Sequence, residues 1–187
     1  MQVPKLDLGF AISADSSRKN ETFKIMKDTI KAIMDTHVTS EIHYSIIIFG
    51  TTANTVVSFA NKPPTTEILK EILTRASRES GPPNLKNVLE KSKEVFEGSG
   101  LRPNATKTLI IITDKKSSSD ANELPGLVKQ MEDKKVRIIS VAIGNEVDTN
   151  ELEKVSTSND DVIKTDIAVN PKTLAKQILD RAKKGKI

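Results

Sequence analysis

Two kinds of apolar pattern alternate along this chain. Runs rich in apolar residues at 5–12, 43–50, 106–114 and 136–144 predict strands, and the nearly continuous run at 43–50 is typical of a strand buried on both faces. Apolar residues spaced three or four positions apart predict helices over 21–35, 65–77, 83–97, 120–135, 148–156 and 170–184. Residues 52–60 alternate apolar and polar positions after Gly50, which predicts an antiparallel edge strand, and residues 160–166 predict a last strand.

Prolines and capping residues refine the predicted helix boundaries. Pro125 lies within the predicted helix 120–135, where a proline is expected to introduce a kink. Asp148 or Thr149 is suited to cap the short helix at 148–156, because an oxygen on a short side chain can accept a hydrogen bond from the first turn. Pro171 stands near the first position of the last helix, where its fixed φ is favourable.

The alternation of strands and helices predicts an α/β fold. We expect a Rossmann-like, doubly wound and mostly parallel six-stranded sheet, with one antiparallel edge strand and helices on both faces. The 187 residues suit a single domain, and we expect residues 1–187 to form one. Ligands of such sheets bind beyond the carboxyl ends of the strands, where the strand order reverses. The loops at 13–17 and 114–119 should lie side by side there, with residues 80–83 on the same rim.

Composition removes several classes of function. The chain has no cysteine, which excludes disulfides, zinc thiolate sites and cysteine nucleophiles. Aromatic residues make up 3% of the chain, which argues against recognition of nucleic acids by stacking. The net charge is +4, and the basic residues are spread over the predicted helix faces with one late cluster at Arg181, Lys183, Lys184 and Lys186. We interpret them as a solvated surface rather than a nucleic-acid interface. No apolar run has the length of a membrane span, so we expect no membrane insertion.

The motifs of the common α/β enzymes are absent. The turn after the first strand contains no glycine, and neither a phosphate-binding loop nor a nucleophile elbow occurs in the chain. His37 and His43 fall at a predicted helix end and strand start, away from the expected rim, so we interpret them as surface or structural residues. We therefore predict no catalytic residues and no enzymatic activity.

The expected rim nevertheless carries oxygen-bearing side chains. Asp15 and Asp114 follow two strands, close to Ser13 and Ser17 in the first loop and Ser117 in the second. Carboxylate and hydroxyl oxygens are ligands that Mg²⁺ and Ca²⁺ prefer. The same residue types also cap helices and turns, which is an equally acceptable interpretation of such loops.

Several segments together resemble the von Willebrand factor type A domain. The matching stretches, in chain order, are DLGFAISADSS, FGTTANTVVSF, SGPPNLKNVLEKSKEVF, TLIIITDKKSSSD and VRIISVAIGNEVDTNELEKVST, followed by the closing helix. Members of that family open with Asp-x-Ser-x-Ser after the first strand and later carry a threonine loop and a Thr-Asp-Gly strand end. The resemblance implies a metal-ion-dependent adhesion site, which presents Mg²⁺ to an acidic residue of a protein partner.

The metal motif departs from the family pattern at most positions. Ser13 stands where the family has its first aspartate, and Asp15 stands where it has a serine. Pro83 replaces the threonine, with Asn84 next to it, and Lys115 replaces the glycine. The residues of this degenerate site are Ser13, Asp15, Ser17 and Asp114. We predict weak Mg²⁺ binding or none, and no other cofactor.

The resemblance and the altered motif lead to a prediction of function. We expect a non-enzymatic protein-binding or adhesion module of an extracellular matrix or cell-surface glycoprotein, which binds its partner largely without metal. Its binding rim would contain Ser16, Pro83, Asn84, Lys115 and Lys116. Asn20 and Asn104 begin Asn-x-Thr glycosylation sequons. The alternatives are an intracellular scaffold subunit of a multiprotein assembly and a Rossmann-like enzyme that acts on a phosphorylated ligand.

Overall fold

The computed structural model describes residues 5–14, 20–36, 41–79, 81–119 and 121–184. The strands among them are β1 (Leu6–Ser13), β2 (Ile42–Phe49), β3 (Ala53–Val57), β4 (Thr106–Thr113), β5 (Val136–Ile143) and β6 (Val162–Thr165). The helices are α1 (Asn20–Thr36), α2 (Thr66–Arg75), α3 (Leu85–Val95), α4 (Leu124–Asp133), α5 (Thr149–Val155) and α6 (Pro171–Lys183). Single turns of 3₁₀ helix precede α4 and β6.

These six strands form one sheet in the order β3-β2-β1-β4-β5-β6. Every neighbouring pair is parallel except β2 and β3, which are antiparallel. The predicted fold class, including the antiparallel edge strand, is confirmed. β1, β2 and β5 are buried along their whole length, as expected for central strands covered on both faces.

Helices cover both faces of the sheet. Apolar side chains of α1, α2 and α6 pack with Leu8, Phe10 and Ile12 of β1 on one face. The helices α3, α4 and α5 pack on the other face, against residues such as Ala11 and Ile111. The side chains of β1 therefore alternate between two separate cores, which fixes the register of this central strand.

Gly9 in the middle of β1 makes room for an aromatic side chain. A β-carbon at this position would lie 2.9 Å from Cε2 of Phe96, which is closer than packed atoms approach. Phe96 is 4% exposed, and its ring centroid lies 5.2 Å from that of Phe59. The glycine thus allows this aromatic pair to pack directly on the central strand.

The predicted kink at Pro125 is wrong. The helix begins at Leu124, so Pro125 occupies its first turn, where the missing N–H costs no hydrogen bond. The residues before it form the short 3₁₀ turn Ala121–Glu123 instead of an earlier part of the helix. Side chains cap the starts of the last two helices. Asp148 caps α5 and Asn170 caps α6, each by accepting from N–H groups of the first turn.

Candidate functional site

The strand order reverses between β1 and β4, because the chain continues from β1 toward one edge of the sheet and from β4 toward the other. Ile12 of β1 lies beside Ile112 of β4 in the parallel register. Ser13 and Asp114 therefore follow at neighbouring strand ends, on the same edge of the sheet. The two strands that carry the predicted rim loops are thus adjacent, at the position where doubly wound sheets bind ligands.

Ser13 and Asp114 are the described members of the predicted degenerate site in these two loops. Ser13 is 2% exposed, and its hydroxyl has no hydrogen-bond partner among the described residues. Asp114 is 6% exposed. The other predicted site residues of the first loop, Asp15, Ser16 and Ser17, lie outside the described residues, so their placement stays a prediction.

The third predicted rim segment, which is described from Gly81 onward, is hydrogen-bonded to Gly50 and Thr51. The N–H of Asn84 donates to the carbonyl of Gly50 over 3.0 Å, and the hydroxyl of Thr51 donates to the carbonyl of Pro82 over 3.2 Å. Gly81 has a φ of +80°, and a β-carbon there would lie 2.3 Å from the Thr51 hydroxyl oxygen. Glycine suits both this left-handed backbone conformation and the close approach to Thr51.

Asn84 is the N-cap of α3. Its side-chain oxygen accepts a hydrogen bond from the N–H of Asn87 over 3.1 Å, and its backbone is extended. This side chain therefore satisfies one of the free N–H groups at the helix start. Pro83, the other predicted rim residue in this segment, is buried. Its carbonyl accepts from both the N–H and the hydroxyl of Ser118, over 2.8 and 3.2 Å.

Ser117 links the loop after β4 to two helices. Its hydroxyl oxygen accepts from the N–H of Leu85, the first residue of α3, over 3.0 Å. Its own N–H donates to a carboxylate oxygen of Glu151 in α5 over 3.2 Å. The hydroxyl also lies 2.6 Å from that of Ser119. One small residue thus connects the starts of α3 and α5 beneath the rim.

The sequence analysis missed Glu151. This glutamate lies in the first turn of α5, where acidic residues are ordinary, and only its contact with Ser117 distinguishes it. Glu151 is 8% exposed. Burial raises the pKa of the Glu151 carboxyl above its ordinary value, and nearby Asp148 adds to the rise, while the hydrogen bonds from Ser117 and the charge of Lys116 oppose it.

Two lysines follow Asp114 on the same loop. Lys115 is half-buried and Lys116 is exposed, and the N–H of Lys116 donates to the carbonyl of Glu146 over 2.9 Å. The main chain of the loop is therefore tied to the segment after β5. Lys115 stands where the family has a glycine, so the loop carries two positive charges directly after Asp114.

The described donors do not make up the family's metal-binding set. Asn84 uses its side-chain oxygen to cap α3, and Pro83 has no side-chain oxygen. Ser13 and Asp114 remain as described side-chain donors, so the other oxygens of a near-octahedral Mg²⁺ shell would have to come from water or from residues outside the described ranges. In the described part of the chain, no group of three or more histidine, aspartate or glutamate side chains could hold an ion. The described residues therefore do not fit a complete metal site.

Of the two predicted glycosylation sequons, only that of Asn104 is exposed at its asparagine among the described side chains. Asn104 is exposed in the turn before β4, whereas Asn20 is the first residue of α1 and the threonine of its sequon, Thr22, is 9% exposed.

His43 lies near the start of β2, far from the rim, and is 8% exposed. Burial lowers the pKa of His43, and the charge of Arg102 lowers it further. His37 lies outside the described residues. No helix in the described ranges combines the length and apolarity required to cross a membrane.

Comparison with known families gives a match over most of the chain. The model of the von Willebrand factor type A domain matches residues 7–178. The matched range begins in β1 and ends in α6, so it contains the whole sheet and all three described rim segments.

Solved structures with this fold include a mussel protein and a bacterial one. Proximal thread matrix protein 1 from the mussel byssus superimposes with a TM-score of 0.84 at 25% identity, covering 96% of this chain and 47% of that chain. A structure of the same mussel protein with a zinc-occupied MIDAS motif gives a TM-score of 0.83 at 22% identity, covering 96% and 48%. A von Willebrand factor type A protein from Catenulispora acidiphila gives 0.74 at 18% identity, covering 96% and 42%. The present chain thus spans about half the length of these proteins.

Proposed function

Because the chain belongs to the von Willebrand factor type A domain family, we propose that it is a non-enzymatic protein-binding module whose partner docks on the carboxyl edge of the sheet. The family generally serves as an interaction module, and the mussel relative is a thread matrix protein. We propose further that residues 1–187 form a single such module, and that its parent is an extracellular matrix or cell-surface protein.

The observation that carries the proposal is that hydrogen bonds hold the loop after β4 on three sides. Its main chain is held by Pro83, Glu146 and Glu151 through hydrogen bonds of 2.8, 2.9 and 3.2 Å. A loop fixed on three sides presents its exposed side chains in a set arrangement, which lowers the entropic cost of binding. Lys116 is exposed on that loop, and Lys115 is half-buried beside it. An acidic segment of a partner protein is the matching chemistry.

We propose that this binding does not require a metal ion. In the family pattern a bound cation meets the acidic residue of the partner. Here the ammonium groups of Lys115 and Lys116 supply positive charge next to Asp114 without the cost of dehydrating Mg²⁺. The use of the Asn84 side chain as a helix cap supports this proposal, because that oxygen already has a donor.

Support for the extracellular setting comes from two sources. One is the likeness to a matrix protein of the mussel byssus. The other is the exposed position of Asn104 in its sequon, which is accessible to a glycan. Enzymatic removal of glycans from the protein secreted by animal cells should lower its mass, and the Asn104→Gln variant should lose that shift. A secreted protein of unchanged mass would remove this support.

The binding face can be tested by charge reversal. Full-length chain is titrated onto immobilised fibrillar collagen, fibronectin and laminin, with Mg²⁺ or with a chelator. We expect at least one of these matrix proteins to bind, equally well under both conditions. The Lys115→Glu/Lys116→Glu variant should bind it at least tenfold more weakly, with a flatter salt dependence.

A matched control keeps the change of net charge constant. Lys62 and Lys154 are exposed and lie outside the loop after β4, so Lys62→Glu/Lys154→Glu should leave the affinity within about twofold. Equal loss in both variants, or unchanged affinity in the Lys115/Lys116 variant, would place the interface elsewhere. No binding to any of the three proteins would contradict the matrix setting.

A further inference from the structure

A cavity of about 360 Å³ lies at the amino ends of β4 and β5, on the edge of the sheet opposite the candidate partner face. The turn before β4, the turn between α4 and β5, and the end of α6 surround it. None of the described residues that line it is acidic or aromatic, and five of them are cationic: Lys107, Lys134, Lys135, Arg137 and Lys184. A cavity whose only charged lining residues are cationic concentrates positive potential.

Two of these five cations are already neutralised within the fold. The guanidinium of Arg137 donates to both carboxylate oxygens of Asp161, over 3.1 and 2.6 Å. The ammonium of Lys134 lies 2.8 Å from a carboxylate oxygen of Glu97. These contacts fix the wall of the cavity and are not available to a ligand without loss of an ion pair.

The other three cations are not held in salt bridges by the described residues. Within the described ranges, the ammonium groups of Lys107, Lys135 and Lys184 take part in no salt bridge. Lys107 is half-buried, whereas Lys135 and Lys184 are exposed. Like charges gathered around one cavity repel one another unless an anion enters, so the arrangement favours an anionic ligand.

The backbone of Lys135 gives a second, independent observation. This residue follows the end of α4 with a φ of +59°, in the left-handed region that favours glycine at this position. A residue with a β-carbon is strained in that conformation, because the β-carbon lies close to the following carbonyl oxygen. The chain therefore carries a lysine, at a cost in stability, where it lines the cavity.

From this geometry we propose that the cavity binds the sulfate groups of an acidic polysaccharide. Ammonium groups are compact point charges that pair with tetrahedral oxyanions without the planar geometry that Arg requires. Lys107 would contact a sulfate group within the cavity, and Lys135 and Lys184 would contact neighbouring sulfate groups outside it. One half-buried cation with two exposed ones matches a chain of several charges better than a single small ion.

A nucleic acid fits these residues less well. Single-stranded nucleic acids are bound by aromatic side chains that stack on the bases, and no aromatic residue lines this cavity. Sequence readout of a duplex requires an element that enters a groove, whereas these lysines line a concavity. A sulfated polysaccharide requires neither feature, because its charges lie along the outside of a flexible chain.

The test is a titration of the full chain with a size-defined heparin hexasaccharide at physiological salt. A chemically desulfated hexasaccharide and a DNA duplex of similar charge are titrated in parallel. The Lys107→Gln/Lys135→Gln/Lys184→Gln variant should bind heparin roughly tenfold more weakly than the unmodified chain, since each of the three charge contacts contributes about 0.5 kcal/mol. Amide resonances of residues 103–107 and 134–137 should shift on binding to the unmodified chain.

A matched control removes three exposed lysines that do not line the cavity. Lys154, Lys164 and Lys172 lie in α5, near the end of β6 and in the first turn of α6, and they form no salt bridge with a described residue, so the Lys154→Gln/Lys164→Gln/Lys172→Gln variant should stay within twofold. Equal weakening in both variants would show binding to general surface charge and would overturn the proposal. Absence of heparin binding, binding of the desulfated sugar, or equal binding of the duplex would overturn it as well. The partner-face experiment uses other residues, so either proposal can fail alone.

Discussion

The two edges of the sheet are held together by different chemistry. At the amino edge, Asp7 is fully buried and accepts from the backbone N–H and the guanidinium of Arg102, over 3.0 and 2.9 Å. Asp161 is 2% exposed, and its two carboxylate oxygens accept from the guanidinium of Arg137. At the carboxyl edge, the described hydrogen bonds around Ser117 and Asn84 connect loops and helix starts mostly through main-chain, hydroxyl and amide groups.

This difference separates an edge held by a few strong contacts from an edge held by several weaker ones. Breaking a buried ion pair leaves an uncompensated charge, which costs several kcal/mol, so each pair at the amino edge matters by itself. A single neutral hydrogen bond contributes only about 1 kcal/mol, so the loops at the carboxyl edge are held in place by several such contacts acting together. Binding residues commonly lie on such loops, positioned by a rigid scaffold.

The largest expected effect comes from removing one partner of a buried pair. Arg102→Met leaves the carboxylate of Asp7 buried without its cation, so the free energy of unfolding should fall by about 3–5 kcal/mol. Urea denaturation followed by far-ultraviolet circular dichroism measures this change. As a control, Arg75→Met removes an exposed pair with Glu71 on α2 and should cost no more than about 0.5 kcal/mol. Equal effects in the two variants would remove the distinction between buried and exposed charge.

The strands and the fold class could be predicted because burial leaves a direct mark on the sequence. A strand covered on both faces needs a nearly continuous apolar run, and Ile46, Ile47 and Ile48 show it plainly. The start of α4 was harder, because Pro125 is compatible both with a kink and with a first turn. Only the 3₁₀ turn before it decides between the two.

The polar contacts that hold the two edges of the sheet are not visible as a pattern in the sequence. Arg102 and Asp7 are 95 positions apart in the chain, and the local sequence around either residue does not predict the pair. Ser117 and Glu151 are 34 positions apart, and each is an ordinary residue in its local setting. Pairing between distant polar residues depends on strand order, which sequence patterns determine only coarsely. The placement of Asp15, Ser16 and Ser17 stays a prediction.

A middle-sized effect is expected at the start of α3. Asn84→Ala removes the side-chain oxygen that accepts from Asn87, so the free energy of unfolding should fall by about 1 kcal/mol. Asn84→Asp keeps an acceptor at the same place and should restore most of the loss. A loss as large as that of Arg102→Met would contradict the view that the carboxyl edge is held by individually weak contacts.

A smaller effect, with a defined pH dependence, is expected at Glu151. Burial raises its pKa in the folded protein, so folding favours the protonated form. The contribution of this group to stability is therefore most favourable below the ordinary glutamate pKa, and it declines as the pH rises through the folded value. Glu151→Gln, which keeps an oxygen acceptor for Ser117, should flatten this decline. Denaturation at pH 4 and pH 7 compares the two proteins. A steeper decline in the variant would show that the charged form is stabilised instead.

The most direct test of a metal-independent partner face is titration calorimetry with divalent cations. The full chain and its Asp114→Ala variant are titrated with Mg²⁺, Mn²⁺, Ca²⁺ and Zn²⁺ under the same conditions. Because the Asn84 oxygen caps α3 and Pro83 has none, we predict no saturable heat at or below millimolar concentrations and no difference between the two proteins. Saturable binding in that range that is lost in Asp114→Ala would contradict the account and establish a metal-dependent mechanism.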